Sequence, residues 1–399
     1  MSEWEDVTLG TVCADGVIQT GPFGSQLHAS DYRLSGVPVV MPQDLHGGRV
    51  SEASIARVSE QDAERLSRHR LRSGDIVYSR RGDVTRNALV GAREEGWLCG
   101  TGCLLVRPGG KTDSRWLAYW LMTPWTREWI TRHAVGATMP NLNTSILAAV
   151  PVSLPRLDEQ KGIAAVLGAL DCLIDTDRAL AESLEEHAAS LFAAAGFDAT
   201  PDSGCGIPLS DLLEINPRLA KPSGEAAYVD MAALPTDSSR VTSVARRPVS
   251  GGARFQNGDT LLARLTPCLE NGKAALVDVL DQDEVAVGST EFLVLRDRAG
   301  VGREWPYLLA RSERFRDYAI QHMNGSSGRQ RVSAESIGRY TVATPDPTRL
   351  EEFKRSAAIA FEAIRRLHDE IADLTRAREE LLPLLMSGKV RVADLEGVT

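Results

Sequence analysis

Arginine, asparagine, glutamine and hydroxyl side chains recur in glycine-rich turns of this 399-residue chain. That chemistry suits recognition by hydrogen bonding rather than bond breaking. Gln19-Thr20-Gly21-Pro22-Phe23-Gly24-Ser25-Gln26 is turn-rich, and its Gln19, Thr20, Ser25 and Gln26 offer amides and hydroxyls to base edges or phosphates. Ser79-Arg80-Arg81-Gly82-Asp83-Val84-Thr85-Arg86-Asn87 follows an expected strand and presents Arg80, Arg81 and Arg86 around a turn. Gly136-Ala137-Thr138-Met139-Pro140-Asn141-Leu142-Asn143-Thr144 adds Thr138, Asn141 and Asn143. Farther along come Arg264 and Thr266, Lys273, and the run Asn324 to Arg331 with Ser326, Ser327, Arg329, Gln330 and Arg331. Arginine suits guanine, Asn and Gln suit adenine, and hydroxyls suit phosphate. The same residues also suit ordinary solvated turns, with surface arginines paired to nearby carboxylates. Asp75 and Asp259, each after a glycine, read as turn residues.

Signatures of catalysis are missing. Asn271-Gly272-Lys273-Ala274 lacks the first glycine and the hydroxyl of a phosphate-binding loop. No Gly-x-Gly-x-x-Gly, His-Glu-x-x-His, Gly-x-Ser-x-Gly or Asp-Pro-Pro-Tyr-like methyltransferase pattern occurs. The seven histidines are dispersed, and Cys99 and Cys103 form the one close cysteine pair among six, so no metal site is expected. Buried free thiols are the expectation. The apolar fraction of 43% and the acidic start, Met1-Ser2-Glu3-Trp4-Glu5-Asp6, read as a soluble cytoplasmic chain without membrane span. A binder is expected, not an enzyme.

Net charge is −9, which at first sight argues against nucleic acid. Its distribution matters more. Residues 157–200 hold 2 basic and 9 acidic side chains, whereas 1–156 hold 17 and 16, and 201–348 hold 17 and 19. The globular parts are therefore close to neutral, and a neutral domain can bind DNA through basic groups on one face.

The elements that must position these loops are written twice. Leu71-Arg72-Ser73-Gly74-Asp75-Ile76-Val77-Tyr78-Ser79-Arg80 has a counterpart in Phe255-Gln256-Asn257-Gly258-Asp259-Thr260-Leu261-Leu262-Ala263-Arg264. Thr101 to Arg107 resembles Thr290 to Arg296, and Val135 to Thr138 resembles Asn324 to Ser327. Leu157-Asp158-Glu159-Gln160-Lys161 and Leu350-Glu351-Glu352-Phe353-Lys354 each open a long helical stretch. Strands are expected near 36–42, 75–79 and 103–107, and again near 227–231, 259–263 and 291–295. Helices are expected over Ser114 to Arg132, with tryptophans in the core, and around Trp305 to Met323. Gly196 to Gly206 reads as a linker.

The second long helix places Leu350, Phe353, Ala357, Ala360, Ile364, Leu367, Ile371, Leu374, Leu381 and Leu385 at heptad steps, interrupted by Arg378. The first carries Ile163, Val166, Leu170, Leu173, Asp177, Leu180, Leu184, His187 and Leu191 in the same way. About 36 residues at ~1.5 Å rise make each roughly 54 Å long. Each seam needs a partner: the other helix of the chain, antiparallel, or a second copy. The expected class is α/β (α+β), with two similar mixed α/β domains separated by two long antiparallel coiled-coil helices in a pseudo-two-fold repeat. Expected boundaries are 1–155, 156–197, 198–346, 347–391 and a tail, 392–399.

With repeat, heptads and loops together, the chain resembles a specificity subunit of a type I restriction–modification system. Gly21-Pro22-Phe23-Gly24-Ser25, Gly74-Asp75-Ile76-Val77 and the run Val152 to Ile163 carry the resemblance. The second copy departs: Thr344-Pro345-Asp346-Pro347 with Glu352-Phe353 replaces the Leu-Pro-x-Leu-x-Glu-Gln pattern, and nothing like Gly-Pro-Phe-Gly-Ser opens its domain. The resemblance implies two target-recognition domains, each reading half of a split sequence in double-stranded DNA, with the helices as a ruler for the unread gap. It further implies two DNA adenine methyltransferase (modification) subunits and a restriction/translocase subunit as partners. S-adenosylmethionine, ATP and Mg would belong to those partners, and this chain would hold no cofactor. A coiled-coil scaffold with duplicated protein- or glycan-binding domains remains the alternative.

Overall fold

A computed structural model describes residues 4–136, 140–199, 201, 206–249, 251–326 and 328–395. The chain forms two compact units, Met1–Leu173 with Leu374–Thr399, and Ile174–Asp373. The expected boundaries near 156 and 347 mark where the long helices begin. The compact units instead divide inside those helices, so each unit owns one end of both.

The first unit is organised by an antiparallel sheet. Its order is β1 (Val17–Thr20), β4 (Cys103–Arg107), β2 (Ile76–Ser79) and β3 (Asn87–Leu89). β2 and β4 are almost wholly buried, and their continuous apolar runs fit a strand covered on both faces. A second sheet pairs Leu98–Cys99, Val37–Val40, Ala56–Val58 and Tyr32–Arg33. Two helices follow, α1 (Ser114–Met122) and α2 (Pro124–His133). The single helix expected over Ser114 to Arg132 is broken at Thr123, which is extended at φ −61°, ψ 148°. Pro124 causes this, because its ring disfavours helical backbone in the residue before it. Trp116 and Trp120 are core, as expected, but Trp125 is 36% exposed. The first long helix, α3 (Leu157–Ala194), comes next.

The second unit repeats this plan. Its sheet runs β5 (Leu213–Ile215), β8 (Phe292–Asp297), β6 (Thr260–Ala263), β7 (Ala274–Leu276). The helix expected around Trp305 to Met323 is also two, α4 (Trp305–Arg311) and α5 (Glu313–Gln321), broken at the extended Ser312. The second long helix is α6 (Pro347–Met386).

One device recurs at the same place in both units. Gly74 and Gly258 take φ of +90° and +89°, left-handed values that a side chain resists. The turn they allow lets the next residue, Asp75 or Asp259, accept from the backbone N–H of Arg72 (2.7 Å) or Gln256 (2.8 Å). Each buried carboxylate also takes a two-pronged bond from an arginine on the neighbouring strand. Arg107 reaches Asp75 at 2.6 Å twice, and Arg296 reaches Asp259 at 2.6 and 2.7 Å. The expectation that these aspartates are turn residues was thus half of their role.

Within each unit the long helices pack antiparallel. In the first, Ile163, Ala164 and Leu167 share a core with Leu385 and Met386, and Arg378 donates to Asp171 at 2.8 Å. In the second, Ala181, Ala188 and Phe192 share a core with Phe353, Ala357, Phe361 and Ile364. One row of the seam expected on α3, that of Val166, Leu173, Leu180 and His187, is corrected by one position, while Ile163, Leu184 and Leu191 of the other row pack inward as expected. Leu173 and Leu180 are 49% and 48% exposed, while Leu167, Ile174, Ala181 and Ala188, seven apart, are buried. Alanines let two helices approach closely, and the larger leucines were a misleading guide to the inner face.

Asp75→Ala and Asp259→Ala should each destabilise the full chain by about 3 kcal/mol, by leaving an arginine without its buried partner. Calorimetry of each variant checks this; melting at the wild-type temperature would contradict it.

Candidate nucleic-acid interface

β2 ends at Ser79, and the chain turns outward through Arg80 and Arg81. There it meets the segment around Asn141. Leu142 N–H donates to Arg80 O at 2.9 Å, and Arg81 and Asn141 form an isolated bridge. Two of the loops singled out in sequence are therefore joined. Arg81 is exposed, and its guanidinium has no partner among the described residues. Arg80 points inward: its Nε donates to Leu142 O at 3.2 Å, and its guanidinium lies 5.7 Å from the Phe23 ring centre. Arg86 is held by Asp83 at 3.0 Å. Asn143 caps the short helix Thr144–Ala148, its Oδ1 accepting from Ile146 N–H at 2.8 Å. The Oδ1 of Asn141 is buried without a hydrogen bond among the described residues.

The Gly21 to Gln26 loop leaves the end of β1. Gly21 is required there by close approach, since a Cβ would sit 2.0 Å from Gly100 O. Thr101 Oγ1 donates to Pro22 O, and the Gln26 amide oxygen accepts from Phe23 N–H. Arg65 holds Gln26 O at 2.7 Å. Gln19, on β1, is occupied by the turn Ser67–His69, donating to Arg68 O at 2.7 Å, and Thr20 is half-buried beside it. Ser25 is exposed. Phe23, 53% exposed, crowns the loop.

The second unit uses the same positions differently. Arg264 follows the end of β6 as Arg80 follows β2, and Val332 N–H donates to its carbonyl at 2.9 Å. Leu265 bridges Arg331, and Thr266 N–H donates to Gln330 O, so these two loops are also joined. Arg331 is committed to Glu291 through bonds of 2.7 and 2.8 Å. Those bonds hold the Glu291 carboxyl below its ordinary range and raise the Arg331 guanidinium above its own. Lys273 donates to Met231 O at 2.9 Å. Thr266 Oγ1 faces Glu270 and Met323, at 3.4 and 3.8 Å. Ser326 and Arg329 are exposed, and Gln330 is half-buried. Thr138 and Ser327 lie outside the described residues.

Sequence reading passed over Arg218. It is exposed and lines a cleft of about 520 Å³ with Arg254, Arg264, Thr290 and Phe292. The Nε of Arg264 is buried there with no hydrogen bond among the described residues. Arg254 donates to Leu219 O at 2.6 Å. The signal available in sequence was the X-Pro turn directly after a strand, Asn216-Pro217-Arg218, echoing Gly21-Pro22-Phe23.

Of the cysteines described, Cys13, Cys99 and Cys103 are buried free thiols, whereas Cys268 is half-buried and Cys172 exposed. Burial pushes the Cys13 thiol up to about 12. Among the described residues no group of three or more His, Cys, Asp or Glu is placed to hold a metal ion. No helix among them is long and apolar enough to cross a membrane.

Residues 1–186 match the family described as type I restriction modification DNA specificity domain. The chain is 32% identical to the type I restriction enzyme EcoAI specificity subunit of Escherichia coli over 139 residues, 33% of this chain and 23% of that one. It is 25% identical to the MjaVIII specificity subunit of Methanocaldococcus jannaschii over 46% of this chain and 43% of that one. These two alignments span less than half of either relative's length. A longer one, at 23% identity with the MjaIX specificity subunit of the same organism, covers 92% of this chain and 89% of that one. In fold, the chain is similar to the crystal structure of a type I restriction–modification system S subunit from M. genitalium. The TM-score is 0.57 at 15% identity, covering 96% of each chain.

Asn143→Ala should lower stability by about 1 kcal/mol through loss of the helix cap, and Asn143→Asp should retain most of it. Denaturant melts of the two variants check this, and identical midpoints would contradict it.

Proposed function

We propose that this chain is a member of the type I restriction–modification specificity family, that it is the DNA-reading subunit of such a complex, and that it does no chemistry itself. The observation that carries this reading is duplication with divergence. Two units whose central sheets share one topology each join two loops at the end of the same central strand, and the side chains on those loops differ. A chain that reads a split sequence needs one frame used twice and two different reading surfaces. Exposed arginines without side-chain partners among the described residues, Arg81 in one unit and Arg218 and Arg329 in the other, supply positive charge for phosphates and donors for guanine. Pairs such as Arg86–Asp83 and Arg331–Glu291 spend their charge within the protein and contribute less.

In this reading the chain recruits two DNA adenine methyltransferase subunits and a restriction/translocase subunit. S-adenosylmethionine, ATP and Mg act on those partners. The two long helices set the number of unread base pairs between the half-sites.

Single-molecule methylation mapping tests the proposal in a strain with and without this gene. Deletion should abolish one split, adenine-methylated motif; no change in any motif while the modification subunit is expressed would overturn the reading. Inserting one heptad into both long helices should change the gap and leave both half-sites intact. An unchanged gap in a complex that still methylates would rule out the ruler.

A further inference from the structure

The two units build one projecting turn from different residues. In each, the chain leaves the edge strand of the central sheet, β1 or β5, through a buried proline, Pro22 or Pro217. The next residue is exposed: Phe23 in the first unit and Arg218 in the second. In each, an arginine from elsewhere pins a carbonyl of the turn, Arg65 on Gln26 O at 2.7 Å and Arg254 on Leu219 O at 2.6 Å. The arginine that follows the central strand completes both arrangements. Arg80 lies against the Phe23 ring, and Arg264 lines the cleft that Arg218 and Leu219 also line. Neither Phe23 nor Arg218 hydrogen-bonds through its side chain to any described residue, although bonds to Pro22 O, Phe23 N–H and Gln26 O hold the first turn and the bond to Leu219 O holds the second.

Holding an apolar ring half in water is unfavourable for the isolated chain. A loop fixed by four contacts around such a ring, with guanidinium groups beside it, is prearranged for a partner that is both aromatic and anionic. DNA has both properties: base faces or thymine methyls for the ring, phosphates for Arg81. The equivalent position in the second unit carries a guanidinium, which suits a guanine edge or a phosphate.

We infer that Phe23 and Arg218 are equivalent base-contacting fingers, and that their different chemistry makes the two units read different half-sites. Phe23 reads by apolar contact and stacking, and Arg218 by paired hydrogen bonds. Arg80 and Arg264 position the fingers. This inference rests on the DNA-reading function proposed above.

The test uses the full chain with its modification subunits, expressed in a host without adenine methylation, and maps methylated motifs across the host genome. Phe23→Ala should lower methylation at sub-saturating expression by roughly tenfold or relax one position, confined to one half-site. Phe23→Trp should preserve the motif. Arg218→Ala should alter the other half-site, and Arg218→Lys, which keeps charge but loses the fork, should not restore it. Unaltered motif and occupancy in Phe23→Ala and Arg218→Ala would overturn the inference while leaving the proposed function standing. Uniform loss over every motif, with modification subunits missing from the purified complex, would overturn it in favour of subunit docking. Absence of any motif with the wild-type chain would instead overturn the function on which it rests.

Discussion

A buried aspartate gripped by an arginine on the adjacent strand is the constraint on which both units depend. Asp75 and Asp259 are each 1% exposed, and each is held by a two-pronged bond from Arg107 or Arg296 together with one backbone N–H, of Arg72 or Gln256. Each pair locks the start of one central strand to the end of its neighbour. Strand register follows from that lock: Ile76 faces Val106 and Thr260 faces Leu295. Register in turn determines where Ser79 and Ala263 end, and therefore where Arg80 and Arg264 leave the sheet. The loops proposed to contact DNA are thus positioned by a charge pair buried at the opposite end of the strand.

Much of this frame was legible in the residues. Gly-Asp followed by an apolar run, written twice, marks both the turn and the central strand, because only a few residue types tolerate that backbone. The tandem repeat and the two long helices were equally visible. What failed was detail decided by tertiary packing. Each expected helix after the sheet is two, since a single extended residue, Thr123 or Ser312, interrupts it. On α3 the leucines suggested one face, and the alanines at 181 and 188 occupy the true one. Heptad spacing identifies a helix face to within one position, and neighbouring side-chain sizes decide between the candidates.

The candidate site was less legible, for a physical reason. Sequence shows that a loop contains arginine but not whether a carboxylate already holds it. Arg81 and Arg86 lie five residues apart, yet the first is free among the described residues and the second is tied to Asp83. Asn143 looks like an adenine reader and spends its oxygen on a helix cap. Phe23, inside a motif singled out in sequence, was passed over because an exposed aromatic cannot be told from a core one without the fold. Arg218 was hidden by divergence: the second unit keeps the turn and its proline but changes the residues around them.

The central claim is that two units built on one frame each read one segment of duplex DNA. Hydroxyl-radical footprinting of the chain with its modification subunits, on a duplex carrying the mapped motif, tests it most directly. Two protected segments separated by an accessible gap, one matching each half of the motif, are the predicted result. A single continuous footprint, or none on that duplex, would contradict it.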